Sequence, residues 1–231
     1  MSTLIIVSGF VIVLIIVIYF LMSDSGTSIS SMQSASVSSN VPAASLPTNS
    51  AQNFTYSMWF FIREWNTTDG KKMILKRSAK SREHGRTVVC PKIYLGESSN
   101  DVNIQVSCED ASDHTCRVSN IPIQKWVNLI TSVYGRSLDV YVDGKLVRTC
   151  VLPGVPLAST VKGEDIKITP SGGFTGETSQ FMYWANATNA TEAAAIYRKG
   201  YGGSMIGNLL NKYRFQFTFI KDGRDVSSFQ I

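Results

Sequence analysis

The chain has 231 residues, a formal net charge of +5 at pH 7 and 44% hydrophobic residues. It has two histidines and four cysteines, and none of the cysteines lies in a Cys-x-x-Cys pair, so the composition argues against a Ser-His-Asp or Cys-His catalytic site and against a zinc site. The length allows one globular domain of about 180 residues beyond an apolar terminus.

The first segment, residues 4–22, contains no charged residue. As a helix it would be about 28 Å long, which is enough to cross the hydrocarbon core of a bilayer. A cleaved signal peptide fits less well, because residues 1–3 contain no Lys or Arg and the apolar run is long. We therefore predict an uncleaved transmembrane anchor over residues 1–22, which contacts lipid through residues 4–22.

The next segment, residues 23–52, is rich in serine: eleven of its thirty residues are Ser, and Asp24 is its one charge. Such a composition buries too little apolar surface to offset the entropy of ordering. We predict a flexible tether that spans about 30 Å. O-glycosylation, or ordering along a partner surface, is the alternative.

From residue 53 onwards the pattern is typical of β-strands. Aromatic and β-branched runs alternate with turn signals, and Asp143-Gly144 is the sharpest two-residue hairpin signal. The predicted strands are 55–62, 73–75, 88–95, 102–108, 126–134, 137–142, 145–151, 166–168, 177–184 and 213–220. One helix is predicted over 191–199. Short strands at this spacing indicate an all-β, antiparallel sandwich or jelly roll.

Two motifs carry a resemblance to a known family. They are IPIQKWV at residues 121–127 and LDVYVDGK at residues 138–145, preceded by Trp59 in the first strand. Over residues 54–201 the chain resembles a laminin-G or concanavalin-A-like jelly-roll domain, most closely the membrane-anchored versions of large nucleocytoplasmic DNA viruses. This divides the remainder into a domain at 53–203 and a C-terminal strand extension at 204–231.

The large aromatic residues have a structural and a functional interpretation. We expect Trp59, Trp126 and Tyr141 to fill the core between the sheets, because large rings at alternating strand positions bury the most area. Stacking against a sugar is the alternative. Trp65 and Trp184 are expected near loop ends.

Catalytic and metal sites have little support. A Glu-x-Asp-x-x-Glu run, which would supply the two carboxylates of a jelly-roll glucanase, is absent, so no catalytic residue and no cofactor are predicted. Glu109, Asp110 and Asp113 form the densest acidic loop and are weak candidates for calcium. A solvated acidic loop is the competing interpretation.

The cysteines and the glycosylation sequons leave several alternatives open. Cys108 could pair with Cys116 across the acidic loop, and Cys90 with Cys150; buried thiols are equally compatible with the sequence. Asn-x-Thr sequons for N-glycosylation occur at Asn53, Asn66, Asn186 and Asn189.

The strongest charge cluster is residues 71–86, with seven Lys or Arg against one Glu. We predict a solvent-facing connection between strands that contacts an acidic protein, phosphate or anionic lipid; a passive solvated loop is the alternative. Nucleic acid is not expected, because aromatic residues are not interleaved with the charges. The predicted partner contacts are Lys71, Lys72, Lys76, Arg77, Lys80, Arg82 and Arg86.

The sequence hypothesis is a non-catalytic structural protein. The viral resemblance implies a virion membrane or minor capsid protein that links an internal membrane to the capsid shell, with its domain on the capsid-facing side. The alternative is a lectin-like surface module that binds a glycan or receptor. It would require an exposed aromatic residue with amide or acidic neighbours at a rim of the sandwich.

Overall fold

The computed structural model describes residues 27–47, 52–65, 72–83, 85–109, 113–202, 216–221 and 224–230. The elements are β1 Thr27–Ser30, β2 Gln33–Ser34, β3 Ser39–Val41, β4 Phe54–Ile62, β5 Lys72–Ser81, β6 Arg86–Leu95, β7 Val102–Ser107, β8 Asp113–Val118, β9 Trp126–Tyr134, β10 Ser137–Val142, β11 Lys145–Val151, β12 Ile166–Ile168, β13 Gly176–Trp184, α1 Ala190–Lys199, β14 Gln216–Lys221 and β15 Arg224–Gln230. A short 3-10 turn, Ala43–Ser45, follows β3.

Two antiparallel sheets form a sandwich. The first sheet has the strand order β1-β13-β4-β9-β10-β11, and β2 also pairs with β13. The second sheet has the order β3-β12-β5-β6-β7-β8. This arrangement confirms the predicted all-β sandwich with one short helix. We name its two ends after the first and last residues of β4, the Phe54 end and the Ile62 end.

Alternation along β4 shows how the sequence builds the core. Tyr56, Met58 and Phe60 belong to the buried cluster between the sheets. Trp59, whose side chain points the other way, is 6% exposed but lies outside that cluster and stacks on Tyr197 of α1. Adjacent strand residues face opposite sides of a sheet, so one strand supplies both surfaces.

The expectation that Trp59, Trp126 and Tyr141 fill the inter-sheet core is wrong. All three lie on the outer face of the first sheet, because their strand positions are offset by one residue from the inward-facing set. Tyr141 packs in a second cluster with Ile130 of β9 and with Ala193 of α1.

Helix α1 covers part of that outer face. Asn189 caps its first turn: the side chain accepts a hydrogen bond from the Glu192 amide, and the Glu192 carboxylate accepts one from the Asn189 amide. This reciprocal capping box satisfies amides that the helix leaves without intrahelical partners. The predicted Asp143-Gly144 hairpin is confirmed between β10 and β11. A Cβ on Gly144 would lie 2.8 Å from Tyr197 Cβ, so the turn also needs glycine for the helix to pack.

The described residues 27–47 differ from the predicted tether. β1 and β2 pair with β13, and β3 pairs with β12, so this part of the 23–52 segment belongs to the sandwich. Ala35, Val41 and Leu46 are buried in the core. The segment has few apolar residues, so it is held in the sandwich mainly by backbone hydrogen bonds to the edges of the two sheets. The three buried side chains add apolar contacts.

The two termini of the chain are described only in part. The predicted anchor, residues 4–22, lies outside the described residues, and among those described no helix has the length and apolar character of a membrane span. In the predicted C-terminal extension, β14 and β15 pair with each other as a separate two-stranded sheet.

Candidate functional site

Two acidic residues on the first sheet, Glu177 and Asp139, lie too far apart to act as a glycosidase pair. Glu177 on β13 forms an ion pair with Arg63, and Asp139 on β10 accepts a hydrogen bond from the Thr149 hydroxyl at 2.6 Å. β4 and β9 lie between these two strands, so the backbones are about 14 Å apart from strand spacing alone. Glycosidases hold their carboxylates about 5–9.5 Å apart.

The calcium candidates do not converge on an open site. Asp113 accepts hydrogen bonds from Arg86, from the Ser107 hydroxyl at 2.6 Å and from the Gln105 amide at 3.0 Å. Burial tends to raise the pKa of the Asp113 carboxyl, but these partners outweigh burial and hold the pKa below its usual value. Glu109 is exposed, and Asp110 lies outside the described residues. The part of the chain that the structure describes contains no group of three potential metal ligands.

The prediction that residues 71–86 form a solvent-facing loop is wrong for most of the segment. Residues Lys72–Ser81 are strand β5, in the interior of the second sheet. Lys72 is 1% exposed; its amine donates to the Glu97 carbonyl at 3.2 Å and lies 4.9 Å from the centre of the Trp65 ring. Lys72 is therefore not available as a surface contact.

Arg77 is a second basic residue that we predicted to lie at the surface and that is buried in the structure. It is 4% exposed, and its guanidinium donates to the Glu164 carbonyl at 3.0 Å and to the Lys162 carbonyl at 2.6 Å. A third hydrogen bond, at 3.4 Å, reaches the Tyr56 hydroxyl. Arg77, Tyr56 and Lys162 line a cavity of about 70 Å³ near the Phe54 end.

The other predicted basic contacts divide into three groups. Lys80 and Arg82 are exposed near the β5–β6 turn. Lys76 is half-buried on the outer face of the second sheet, opposite Lys92. Arg86 forms the ion pair with Asp113 described above. Lys71 lies outside the described residues.

The cysteines pair in a way that the sequence did not predict. Cys116 of β8 and Cys150 of β11 form a disulfide, with their Cα atoms 6.0 Å apart, whereas Cys90 and Cys108 are buried thiols. β8 and β11 are the edge strands of the two sheets, so this bond joins the sheets along one side of the sandwich. The sequence could not reveal this, because the two edges meet only in the folded sandwich.

An aromatic row lies on the outer face of the first sheet at the Ile62 end. Phe61 of β4 is paired directly with Glu177 of β13 on one side and with Trp126 of β9 on the other. Trp126 also stacks on Tyr201, with ring centres 4.7 Å apart and planes 5° from parallel. We call Phe61, Trp126, Glu177 and Tyr201 the aromatic rim.

Several contacts hold the aromatic rim in place. The Ser179 hydroxyl donates to the Tyr201 carbonyl at 2.7 Å, which fixes the chain that follows α1. Arg63 pairs with Glu177 and keeps 60% of its side chain exposed, and Tyr201 is 40% exposed. Lys125, next to Trp126, forms an ion pair with Asp143 at 3.3 Å. The aromatic rim therefore combines ordered rings with charges of both signs at an accessible edge.

The described sequons have different surroundings. The Asn53 side-chain oxygen accepts a hydrogen bond from the Gly135 amide at 3.0 Å, and Asn189 caps α1. Asn186 is exposed in the loop between β13 and α1. Asn66 lies outside the described residues. Glycosylation at these positions stays a prediction.

A cleft of about 270 Å³ opens between the edge strands β8 and β11, with Arg117 and Arg148 among its lining residues. Arg117 is held by an ion pair with Asp101. A hydrogen bond from Ser99, together with the contact with Arg117, keeps the pKa of the Asp101 carboxyl below its usual value despite its burial. This cleft is separate from the aromatic rim.

Comparison with known proteins identifies the family. A family model described as "Concanavalin A-like lectin/glucanases superfamily" matches residues 33–194, which is more than half of the chain. The chain belongs to this superfamily. The match begins at residue 33, inside the segment predicted as a tether, and thus agrees with the strand pairing of β2 and β3. No curated protein sequence matches the chain significantly.

Solved structures with the same fold include domains of botulinum neurotoxins. The receptor binding domain of botulinum neurotoxin D has a TM-score of 0.55 at 12% identity; the alignment covers 76% of this chain and 46% of that domain. The serotype G binding domain has a TM-score of 0.50 at 16% identity and covers 63% and 36%. The chain thus spans less than half of these neighbours. At such identity the likeness shows the sandwich fold, and the viral origin stays a prediction.

Sequence reasoning missed the aromatic rim as a unit. A signal was present, because Trp59 and Phe61 share one face of β4, and Tyr197 and Tyr201 are four residues apart at the end of a helix. What the sequence could not supply was the register that places Trp126 beside Phe61.

Proposed function

We propose that this chain is a non-catalytic, membrane-anchored binding module, which residues 4–22 hold in a bilayer while the sandwich binds a partner through the aromatic rim. The observation that carries the proposal is the rim itself. Trp, Tyr and Arg are the side chains that contribute most to binding interfaces, and here Trp126, Tyr201 and Arg63 occupy one accessible edge. The separated carboxylates support a role without catalysis.

The partner that fits best is a protein. Neither of the two cavities described above includes a residue of the aromatic rim, so the rim offers a surface rather than a pocket. Ile123, next to the rim in sequence, is 46% exposed and adds apolar area. Together with the resemblance to membrane-anchored viral proteins, this supports a structural link between an internal virion membrane and the capsid shell.

Lipid extraction of purified particles tests this function. We expect the wild-type chain to stay with the protein shell when detergent removes the membrane. Tyr201→Ala and Lys125→Glu should move most of the chain into the detergent fraction, because both change exposed groups of the rim region. Thr115→Ala, an exposed position on the second sheet, is the matched control and should stay with the shell. Complete release of the wild type would contradict the proposal.

A lectin-like module is the second candidate, and one observation favours it. The aromatic rim places half-buried Phe61 and Trp126 beside the carboxylate of Glu177, as a sugar-stacking site at a sandwich rim requires. A glycan array probed with the full-length chain in lipid nanodiscs separates the two candidates. Binding that disappears in Tyr201→Ala supports the lectin, and an array without hits removes it.

A further inference from the structure

The Phe54 end of the sandwich carries the two most exposed of the large hydrophobic side chains that the structure describes. Tyr134 is 70% exposed and Val151 is 73% exposed. Both are paired with Ser137 of β10, Tyr134 from one side and Val151 from the other. They therefore form a short apolar row across three strands at the tip of the first sheet.

Exposed side chains of both charges lie at the same end of the sandwich as this row, and Glu109, Glu164 and Asp165 are among the acidic ones. Arg136 is exposed in the β9–β10 turn, two residues after Tyr134, and its Nε donates to the Leu152 carbonyl at 3.0 Å. Strand β5 runs toward the same end, since Lys72 contacts Trp65 beyond Ile62, whereas Arg77 reaches Tyr56 near Phe54. The β5–β6 turn therefore brings the exposed Lys80 and Arg82 to the Phe54 end, where Glu83 is also exposed. Arginine and lysine beside an aromatic ring are typical of the headgroup region of membranes.

The chain enters the sandwich at this end. Thr27, the first residue of β1, is paired with Tyr183, and β1 runs antiparallel to β13 toward the Ile62 end. Thr27, the first described residue, therefore lies at the end of β1 that is nearer the Phe54 end. Thr27 is level with Tyr56 and Thr131 across the first sheet. Tyr134 lies three residues beyond Thr131, so the tip extends about 10 Å further than Thr27 in the direction of the Phe54 end.

The distance along the chain sets how far the tip can be from the bilayer. Four residues, 23–26, separate the predicted anchor from Thr27, and they span at most about 17 Å when fully extended. Because the tip projects about 10 Å beyond Thr27, an upright sandwich holds it within about 7 Å of the hydrocarbon core. The headgroup layer on each side is about 5–7 Å thick.

We infer that the Phe54 end rests on the headgroup layer of the bilayer, with Tyr134 and Val151 in its apolar boundary and Arg82 and Arg136 on anionic lipid headgroups. This rests on the proposed function, since it needs residues 4–22 in the bilayer. The occupant is lipid because the short connection to the proposed anchor places this end beside the bilayer, where Arg82 and Arg136 can pair with anionic headgroups. The aromatic rim at the opposite end then faces away from the membrane.

Photo-crosslinking in vesicles tests the inference. Full-length chains carry a benzophenone amino acid at position 134, or at the control position Leu146, which is 51% exposed but lies further from the tip on β11. Vesicles contain phosphatidylcholine alone, or three parts of it with one part of phosphatidylserine. We expect at least five-fold more lipid adduct from position 134 than from position 146. The double variant Arg82→Glu, Arg136→Glu should lower the adduct in phosphatidylserine vesicles at least three-fold.

Carbonate extraction of the same vesicles separates this inference from the proposed anchor. If the chain resists extraction but position 134 gives no more adduct than position 146, the tip contact is overturned and the anchor stands. If carbonate releases the chain, both are overturned. Adduct that is equal with and without phosphatidylserine would overturn the role of the arginines.

Discussion

Arg77 shows most clearly how a basic residue can serve the fold instead of a partner. Its guanidinium is buried, and the three described hydrogen bonds go to two carbonyl groups and one hydroxyl. The carbonyls belong to the 162–164 segment before β12, so Arg77 ties the β11–β12 connection to the sheet interior. A net charge of +5 therefore overstates the basic surface that a partner meets.

Arg77→Met should destabilise the protein strongly. The substitution keeps most of the side-chain volume but removes the donors for two partly buried hydrogen bonds. The free energy of unfolding should therefore fall by about 2–4 kcal/mol. Chemical denaturation measures this. Lys76→Ala, at the next position on the outer face, is the control and should change it by less than about 0.5 kcal/mol. Equal effects would contradict the burial of Arg77.

Tyr56 makes the stability of the sandwich sensitive to alkaline pH. Burial raises the pKa of its hydroxyl above 10, and the nearby Arg77 offsets only part of this. The folded state thus favours the neutral form, so this stabilisation is complete below pH 10 and is lost as the pH rises above it. Tyr56→Phe should flatten the decline of unfolding free energy above pH 10. An unchanged slope in that variant would contradict a titration of Tyr56 on unfolding.

The edge strands depend on a covalent link that joins the two sheets. The Cys116–Cys150 disulfide closes a separation of 34 residues between β8 and β11. Loop closure of this length is expected to stabilise the fold by about 3–4 kcal/mol. A structural disulfide also favours an oxidising compartment for folding.

Peptide mapping tests this pairing directly. Proteolysis of the unreduced protein should release one linked pair of peptides that contain Cys116 and Cys150, and Cys90 and Cys108 should react with an alkylating reagent only after denaturation, because both are buried. A linked Cys108–Cys116 pair would restore the sequence-based alternative. The variant Cys116→Ala, Cys150→Ala should unfold at a lower denaturant concentration than the wild type.

The sequence predicted elements whose signals are local and missed those that depend on partners far away in the chain. The aromatic and β-branched run of β4 and the Asp143-Gly144 turn are short-range signals, and the structure confirms the strand and the hairpin. Residues 27–41 form strands because two sheet edges accept their backbone hydrogen bonds, and Ser-rich composition does not reveal this. Likewise, the sequence predicts a surface position for Lys72, whereas in the folded chain its amine donates to the Glu97 carbonyl.

The molecule as a whole has two distinct ends. The Phe54 end carries exposed Tyr134 and Val151 where the chain enters from the predicted anchor. The Ile62 end carries the aromatic rim. Pairing of residues 27–41 into the sandwich shortens the free connection to the anchor from about thirty residues to four. We therefore propose that the sandwich is held close to a membrane, with its aromatic rim directed away from it.

Crosslinking mass spectrometry on native membranes or purified particles, with an amine-reactive crosslinker, tests this account most directly. Lys125 lies beside the aromatic rim and Lys80 near the Phe54 end, so each reports on one end of the sandwich. We predict reproducible links from Lys125 to a shell protein and few links from Lys80, which lies at the end that we propose rests on the membrane. Links from Lys125 only to its own chain, together with rapid cleavage of the sandwich by added protease, would contradict the account.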